Sequence, residues 1–169
     1  MKSTTGRRIA MRKPSEADGA AMWKLARDSG VLELNSAYAY LMCGKFFADT
    51  CVIAEAEGEA VGFVTAFRPP ARPDTVFVWQ IAVSPSQRGQ GIGSRMIREL
   101  LKRDACRNTR YLEATVSPSN AASAALFRKA AEELKTGCEV RECFPARLFP
   151  GSVHEPEWTF CIGPIPTKR

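Results

Sequence analysis

The chain has 169 residues, a formal net charge of +6, and 45% hydrophobic and 25% charged residues. These values are ordinary for a globular protein and allow one domain with a sizeable core. The apolar runs fall well short of the roughly 20 residues that span a bilayer, which excludes a transmembrane helix. The polar segment 1–8 lacks the apolar stretch of a secretory signal, so we expect a cytoplasmic protein with a flexible N-terminal tail.

The only histidine, His154, and the six cysteines are scattered along the chain without a C-x-x-C pair. Metal clusters and disulfide frameworks both require closer spacing, so we predict reduced thiols and no metal site. The positive charge admits an anionic partner. However, the basic residues in the region 88–103 have no aromatic residues between them, so we predict no nucleic-acid partner.

Hydrophobic periodicity and turn residues predict the elements in chain order. The first half contains strand Ile9–Arg12, a helix from Pro14 to about Asp28, a second helix that Ser36 caps and that ends between Gly44 and Phe47, and hairpin strands Thr50–Glu55 and Ala60–Phe67. After a proline-rich loop at 68–74 come strand Val76–Val83, a helix beginning near Ile92, strand Tyr111–Val116, helix Asn120–Leu134, and strands Glu139–Phe144 and Glu157–Ile162.

This order has no internal repeat or linker and predicts a single α/β domain over residues 9–164, followed by a short tail at 165–169. The mixed central sheet should contain about six to seven strands flanked by helices. Strand 111–116 should run parallel to strand 76–83, because a helix joins them in a right-handed crossover. Strand 76–83 carries apolar and β-branched residues on both of its faces, which predicts burial on both sides.

A glycine-rich turn with Gly89, Gly91 and Gly93 follows strand 76–83. Glycines let the backbone curl so that successive amides point into one concavity. The helix that begins there adds unpaired amides and the positive end of its dipole. Three glycines within five residues therefore predict a seat for a phosphate or pyrophosphate.

Two familiar phosphate loops do not fit this spacing. A P-loop needs Lys and then Ser or Thr after its last glycine, whereas Ser94 and Arg95 follow Gly93. A dinucleotide fingerprint needs a glycine where Ser94 stands and an acidic residue at the end of the next strand, whereas Glu113 lies inside that strand.

The third possibility is the pattern Arg-x-x-Gly-x-Gly at Arg88–Gly93, which follows a strand and precedes a helix. The whole segment Trp79–Gly93 resembles the acetyl-coenzyme A loop of the GNAT N-acetyltransferase superfamily. This resemblance implies a single GNAT-like domain whose fourth and fifth strands splay apart around acetyl-CoA, the co-substrate.

The same resemblance implies which residues bind the coenzyme. The backbone of Ile81 and Val83 would pair with the pantetheine amides, and the amide of Val83 would polarise the acetyl carbonyl. The implied set is Ile81, Ala82, Val83, Arg88, Gly89, Gln90, Gly91, Ile92, Gly93, Ser94, Asn120, Ser123 and Phe127. Many GNAT enzymes have a tyrosine near the position of Phe127 that protonates the leaving thiolate, so the group that does this here is left open.

A narrower resemblance extends from about Glu33 to Pro164. It is carried by Leu32–Leu41, Phe47–Thr50, Gly62–Thr65, Pro69–Thr75, Phe77–Val83, Tyr111–Thr115, Asn120–Ser123 and Ile162–Pro164. These segments resemble the L-2,4-diaminobutyrate acetyltransferases of ectoine biosynthesis, although we expect Asp where Glu33 stands. The resemblance implies acetyl transfer from acetyl-CoA to the γ-amine of L-2,4-diaminobutyrate, by direct attack on the thioester, in a homodimer. The product would be the N4-acetyl precursor of ectoine.

An amine acceptor with a pKa of about 10 is protonated at neutral pH, so a base or a water chain must take its proton. Glu33 and Glu157 are the candidates for this role, and Val83 is the third predicted catalytic residue. The predicted acceptor-binding residues are Glu33, Asn35, Tyr38, Trp79, His154 and Glu157.

Two other functions are compatible with the same loop. One is a GNAT enzyme for another small amine, which would differ only in the acceptor pocket. The other is a non-catalytic domain that senses acyl-CoA or nucleic acid. The absence of a tyrosine at Phe127 favours the second, whereas the polar segment 33–40 argues against it.

Overall fold

A computed structural model describes residues 8–167. The tail predicted at 1–8 lies outside the described residues apart from Arg8, as do the last two residues of the tail predicted at 165–169. The helices are α1 (Gly19–Asp28), α2 (Ala37–Phe46), α3 (Ile92–Lys102) and α4 (Ala121–Glu133). The strands are β1 (Ile9–Arg12), β2 (Val52–Ala56), β3 (Glu59–Phe67), β4 (Thr75–Val83), β5 (Tyr111–Val116), β6 (Cys138–Phe144) and β7 (Glu157–Ile162).

The strands form one mixed sheet in which hydrogen-bonded neighbours follow the order β1, β2, β3, β4, β5, β7, β6. The pairs β1–β2, β2–β3, β5–β7 and β6–β7 are antiparallel. β4 and β5 are parallel, as the predicted crossover requires. This topology confirms the predicted α/β fold class.

The chain divides into two compact units that share β4. We call them the N-terminal unit, Met1–Thr65 with Gln80–Leu100, and the C-terminal unit, Ala66–Trp79 with Leu101–Arg169. The first unit therefore contains the last four residues of β4, and the second unit contains the first five.

The core of the N-terminal unit is built by helices and strands with matching apolar faces. Met22 of α1, Tyr40 of α2 and Phe63 of β3 are buried together. In α3, Ile92, Met96 and Leu100 recur every four residues, which places all three on one buried face. The buried face of α3 therefore faces the core of the unit.

Helix ends in this unit follow local capping chemistry. Ser36 caps α2 as predicted, because its side chain accepts a hydrogen bond from the Ala39 amide at 3.2 Å. The predicted start of the first helix at Pro14 is too early. Asp18 accepts a hydrogen bond from the Ser15 amide at 2.7 Å and closes a short 3₁₀ turn before α1.

In the C-terminal unit, the β5–β7 register runs from Leu112 opposite Ile162 to Val116 opposite Trp158. α4 contributes buried Phe127 and Ala131. The proline-rich loop 68–74 is held by the Arg68 guanidinium, which donates to the carbonyls of Pro73, Ala105 and Arg107 at 2.5 to 2.8 Å. Charge-assisted bonds of this kind fix a loop that prolines exclude from the sheet.

Burial along β4 differs from the sequence prediction. Val76 and Val78 are buried, but Trp79 on the other face is 46% exposed. The prediction that both faces are buried is therefore wrong for this half of the strand. The face of β4 that carries Trp79 is open to solvent, although its residues are apolar. A large exposed aromatic side chain on such a face is a feature of binding sites.

Candidate functional site

The glycine turn predicted to hold a phosphate lies between β4 and α3 in the N-terminal unit. Gly89 and Gly91 have φ angles of +79° and +72°, in the left-handed region that favours glycine. A Cβ atom at either position would meet no atom within 4 Å, so the space above the turn is open. Both glycines are thus required by conformation and not by crowding.

The start of α3 supplies backbone donors beside this turn. The Arg95 amide donates to the Gly91 carbonyl at 3.1 Å, and this bond opens the helical hydrogen-bond ladder. The amides of Ile92, Gly93 and Ser94 precede it and have no intrahelical acceptor by helix geometry. Together with the helix dipole, these donors fit the pyrophosphate of a coenzyme.

Side chains of the turn brace it against the rest of the unit. Arg88 Nη2 donates to the carbonyl of Ser29, just beyond the end of α1, at 3.2 Å. Gln90 Nε2 donates to Oε1 of the buried Gln87 at 3.2 Å. Arg88 uses one of five guanidinium donors in its bond to Ser29, and the residue is exposed, which suits it to a phosphate as well.

The predicted pantetheine-binding residues lie at the end of β4. Ala82 is buried, and Ile81 and Val83 are half-buried. The ladder between β4 and β5 pairs Thr75 with Tyr111 and ends with Val78 opposite Ala114. β4 itself continues to Val83. This is the end of the ladder at which the splay of strands four and five is expected.

Three predicted acceptor residues lie before or within the first turn of α2. Glu33 is exposed, Asn35 is half-buried, and Tyr38 is 70% exposed. The Glu33 carbonyl accepts a hydrogen bond from Gln80 Nε2 at 2.7 Å, and Gln80 Oε1 accepts one from the Tyr40 hydroxyl at 2.8 Å. Burial raises the pKa of Tyr40, so this hydroxyl remains a donor at neutral pH.

The C-terminal unit contains an open cavity of about 740 Å³ above β4, β5 and β7. Its lining combines four aromatic residues with charged and polar ones. The lining residues are Phe67, Pro69, Arg72, Phe77, Trp79, Glu113, Thr115, Arg141, Glu142, Cys143, Phe144 and Thr159. Trp79, a predicted acceptor residue, is among them. A cavity of this size and lining is typical of a small-molecule site.

Glu113 is a charged residue that lines this cavity and is only 3% exposed. Its two carboxylate oxygens accept hydrogen bonds from Arg72 Nη1 and Nη2, both at 2.6 Å, and Arg141 Nη2 lies 3.9 Å from Oε1. The hydrogen bonds from Arg72 hold the pKa of Glu113 below its usual range. Burial and the adjacent carboxylate raise the pKa of the Cys161 thiol to about 11. Glu113 is therefore ionised and Cys161 is a neutral thiol at physiological pH.

Sequence reasoning assigned no role in the site to Gln80, Arg72 or Arg141. Two signals were available, namely a glutamine inside an apolar strand and Glu113 inside another. Polar groups that are buried in a sheet need partners, so each signal implies a hydrogen-bonded neighbour. Neither signal identifies that neighbour.

Residues Asn120, Ser123 and Phe127, predicted to flank the coenzyme arm, lie in or just before α4. The Asn120 side chain accepts a hydrogen bond from the Ser123 amide at 3.2 Å and caps the helix. Phe127 is buried in the C-terminal unit. Helix capping explains the asparagine at position 120, and core packing explains the phenylalanine at position 127, without a ligand. The coenzyme contacts of all three residues therefore stay predictions.

His154 and Glu157 lie at the far end of the C-terminal unit's last loop. His154 stacks on Phe149, with ring centroids 3.6 Å apart, and its Nδ1 lies 2.6 Å from the Glu155 carbonyl. Because a carbonyl only accepts, Nδ1 carries a proton and donates it to the Glu155 carbonyl. Glu157 is half-buried at the start of β7. Among the described residues, the cavity lining includes Trp79 but neither of these two.

Within residues 8–167, no cluster of three or more His, Cys, Asp or Glu side chains is arranged to hold a metal ion. The helices described there are all too short or too polar to cross a membrane.

Comparison with known proteins agrees with this geometry. The family model described as the acetyltransferase (GNAT) family matches residues 20–131. The chain is 53% identical over 93% of its length to an L-2,4-diaminobutyric acid acetyltransferase of Shouchella clausii, covering 88% of that protein. It is 55% identical to the corresponding enzyme of Marinococcus halophilus, over 93% of this chain and 91% of that protein.

A solved structure extends the comparison to three dimensions. Diaminobutyrate acetyltransferase EctA from Paenibacillus lautus, in complex with its substrate L-2,4-diaminobutyric acid and coenzyme A, is 47% identical and has a TM-score of 0.93. The match covers 97% of this chain and 99% of that one. The chain therefore belongs to the GNAT acetyltransferases and, within them, to the L-2,4-diaminobutyric acid acetyltransferase family.

Proposed function

We propose that this protein transfers the acetyl group of acetyl-CoA to the γ-amine of L-2,4-diaminobutyrate and forms the N4-acetyl precursor of ectoine. The observation that carries the proposal is the match, along almost the whole chain, to the Paenibacillus lautus enzyme that was solved with this diamino acid and coenzyme A. The open glycine turn with positive φ angles supports it independently, because it fits the phosphates of the coenzyme.

Acetyl-CoA is the proposed co-substrate, and its thioester supplies an activated acyl carbon. The residues proposed to hold the diphosphate are those of the turn and the first turn of α3, from Arg88 to Ser94. The backbone of Ile81 to Val83 is proposed to pair with the pantetheine arm. Asn120, Ser123 and Phe127 are proposed to flank that arm. No metal takes part in the proposed reaction.

The chemical step requires a neutral amine beside a polarised carbonyl. The bound γ-ammonium first loses one proton and becomes a neutral amine. Its nitrogen then forms the new bond to the acyl carbon, the carbon–sulfur bond breaks, and the nitrogen loses a second proton. Glu157 and Glu33 are proposed to bind the ammonium and to take these protons, directly or through water. The amide of Val83 is proposed to donate to the carbonyl oxygen as negative charge develops on it.

The leaving thiolate needs a proton from a group other than Phe127, which has no hydroxyl. The Phe127 ring is also buried, which makes it a packing residue beside the proposed arm. The nitrogen releases two protons between the ammonium and the amide, and the thiolate needs one of them. We therefore propose that one proton reaches the sulfur through the base and water and that the other passes to solvent.

Acceptor selection is proposed to depend on residues that separate the two ends of the diamino acid. Glu33, Asn35 and Tyr38 would bind one end, and Trp79 would wall the aliphatic carbons. Glu157 and His154 would meet an ammonium group. Holding the α-carboxylate and α-ammonium away from the thioester leaves only the far amine in reach.

We propose a cytoplasmic enzyme that acts as a homodimer. The β6 edge supports a dimer because Val140, Phe144 and the nearby Leu148 are exposed apolar side chains. Edge strands with apolar side chains commonly pair with another chain.

Thiol release from acetyl-CoA tests the acceptor directly. We expect rapid release with L-2,4-diaminobutyrate and a kcat/KM for ornithine that is lower by about tenfold or more, because each extra methylene changes discrimination by that order. Lysine should be slower still. Equal values for all three amines would contradict the assignment of the acceptor, and no release with any amine would contradict the acetyltransferase itself.

A further inference from the structure

Gln80 is a polar residue buried in the otherwise apolar strand β4. Its side chain lies in the N-terminal unit and the residue is 6% exposed. Its backbone amide donates to the Thr65 hydroxyl at 3.2 Å. A buried carboxamide is retained in a sheet only when both of its ends have partners, since an unpaired one destabilises the fold.

Both ends of this carboxamide have partners that are distant in sequence. Nε2 donates to the Glu33 carbonyl at 2.7 Å, and Oε1 accepts from the Tyr40 hydroxyl at 2.8 Å. The orientation of the amide is fixed by chemistry. A carbonyl can only accept, so the nitrogen must face Glu33 and the oxygen must face the hydroxyl.

Tyr40 completes the connection back to the same segment. The residue is 1% exposed, and its hydroxyl oxygen accepts a hydrogen bond from the Asn35 amide at 3.4 Å. The Tyr40 ring packs edge-on against Phe63, with centroids 6.0 Å apart, so the core fixes its position. Segment 33–35 is therefore held at both ends by one buried polar chain.

This segment has no regular secondary structure of its own. A loop without ladder or helix bonds keeps a defined geometry only through side-chain anchors. Its two end residues, Glu33 and Asn35, are proposed acceptor ligands. Gln80 stands next to Trp79 and Ile81, which are proposed to wall the acceptor and to bind the coenzyme arm.

We propose that Gln80 and Tyr40 are positioning residues that hold the acceptor-binding segment 33–35 in a fixed relation to the end of β4. They act through the Glu33 carbonyl and the Asn35 amide. This inference rests on the proposed function for its effect on catalysis. The anchoring of the segment itself does not depend on that function.

Gln80→Glu tests the anchor with an isosteric change, because a carboxylate cannot donate to the Glu33 carbonyl but still accepts from Tyr40. Tyr40→Phe removes the hydroxyl and provides a second variant if the buried charge prevents folding. We expect the KM for L-2,4-diaminobutyrate to rise about tenfold in each, the order expected from one lost hydrogen bond. The dissociation constant for coenzyme A should stay within about twofold, since no coenzyme ligand is touched.

Thr65→Val is the matched control. It removes a buried hydrogen bond to the Gln80 amide but leaves both ends of the carboxamide paired. We expect a comparable loss of thermal stability and an unchanged KM for the diamino acid. If the control raises this KM as much as the other two variants do, the role of Gln80 and Tyr40 is only structural and the inference is wrong.

Hydrogen exchange separates this inference from the proposed function. In Gln80→Glu and Tyr40→Phe, the amides of residues 33–35 should exchange about tenfold faster at temperatures where both variants are folded. Unchanged exchange would overturn the inference. If the unmodified enzyme does not acetylate the diamino acid, the proposed function fails, while faster exchange in the variants would still support the anchor.

Discussion

The backbone conformation of the turn before α3 depends on two single residues, Gly89 and Gly91. Their positive φ angles turn the chain just before α3, and the open space above them lies beside the first amides of the helix. Any other L-residue at these positions is strained by about 1 to 2 kcal/mol. A side chain there would also project toward the proposed phosphates.

Gly91→Asp should abolish coenzyme binding, because it adds a side chain and a negative charge beside a diphosphate. Like-charge contacts cost several kcal/mol, so the affinity for coenzyme A should fall by at least about thirtyfold in titration calorimetry. Gly58→Asp is the control, since Gly58 also has a positive φ, +81°, and open space around it. Both variants should lose similar stability, and unchanged coenzyme affinity in Gly91→Asp would remove the turn from the site.

At the scale of elements, Arg72 fastens the loop between β3 and β4 to β5. The two bonds to Glu113 are short, and the carboxylate is almost completely buried. Removal of one partner of such a pair strongly lowers the free energy of unfolding, because the other partner is left charged without its counter-charge. The loop and the floor of the cavity are thus coupled through one carboxylate.

Glu113→Gln should lower the free energy of unfolding at neutral pH by about 2 kcal/mol, the value of charge-assisted hydrogen bonds. Arg72 lowers the pKa of Glu113 in the folded state. The stabilisation is therefore complete above the unfolded-state pKa of about 4.3 and is lost as the pH falls through the folded-state value. Denaturant unfolding between neutral pH and pH 3 should show a flatter pH dependence in the variant.

Glu139→Gln is the control for that experiment. Glu139 is an exposed residue of β6 whose Oε1 lies 3.4 Å from Arg141 Nη1. Exposed pairs contribute at most about 1 kcal/mol, so this variant should keep the stability and the acid sensitivity of the unmodified protein. The same acid sensitivity in Glu113→Gln and the unmodified protein would contradict the assigned role of Arg72.

Prediction from sequence succeeded where the determining signal is local. The bounds of β5 and β7 are as predicted, and the cap at Ser36 and the parallel β4–β5 pair are confirmed. Each depends on periodicity, a turn residue or a chain-order rule that a short stretch of sequence carries. The curled turn at Gly89 and Gly91 was also predictable from a local signal, because the glycines themselves permit the positive φ angles.

The contacts that complete the site are not local. Arg72 and Glu113 are separated by 41 residues, and Gln80 is 47 residues from Glu33. No periodicity links such positions, because the partner of a buried polar group is selected by tertiary packing. The periodicity of β4 predicted burial on both faces and did not show that Trp79 is exposed, since an apolar residue in a strand has the same pattern whether it faces a core or a cavity. Only the family resemblance assigned Trp79 to the acceptor pocket.

At the scale of the whole molecule, the proposed homodimer has a measurable consequence. Light scattering should give a mass of about twice the 18.6 kDa of one chain. Leu148→Glu combined with Val153→Glu, two highly exposed apolar positions in the loop after β6, should shift the mass toward one chain. Val31→Glu, at another exposed valine in the N-terminal unit, should not. A single-chain mass for the unmodified protein would contradict the dimer.

The central claim concerns which nitrogen receives the acetyl group. The most direct measurement is NMR of the product formed from acetyl-CoA and L-2,4-diaminobutyrate by the full chain, since the acetyl carbonyl correlates, beyond its own methyl group, with the methylene or the methine beside the acylated nitrogen. We predict a correlation to the γ-methylene and none to the α-methine, with one coenzyme A thiol released per product. Acetylation at the α-amine, or thiol release without an acetylated diamino acid, would contradict the account.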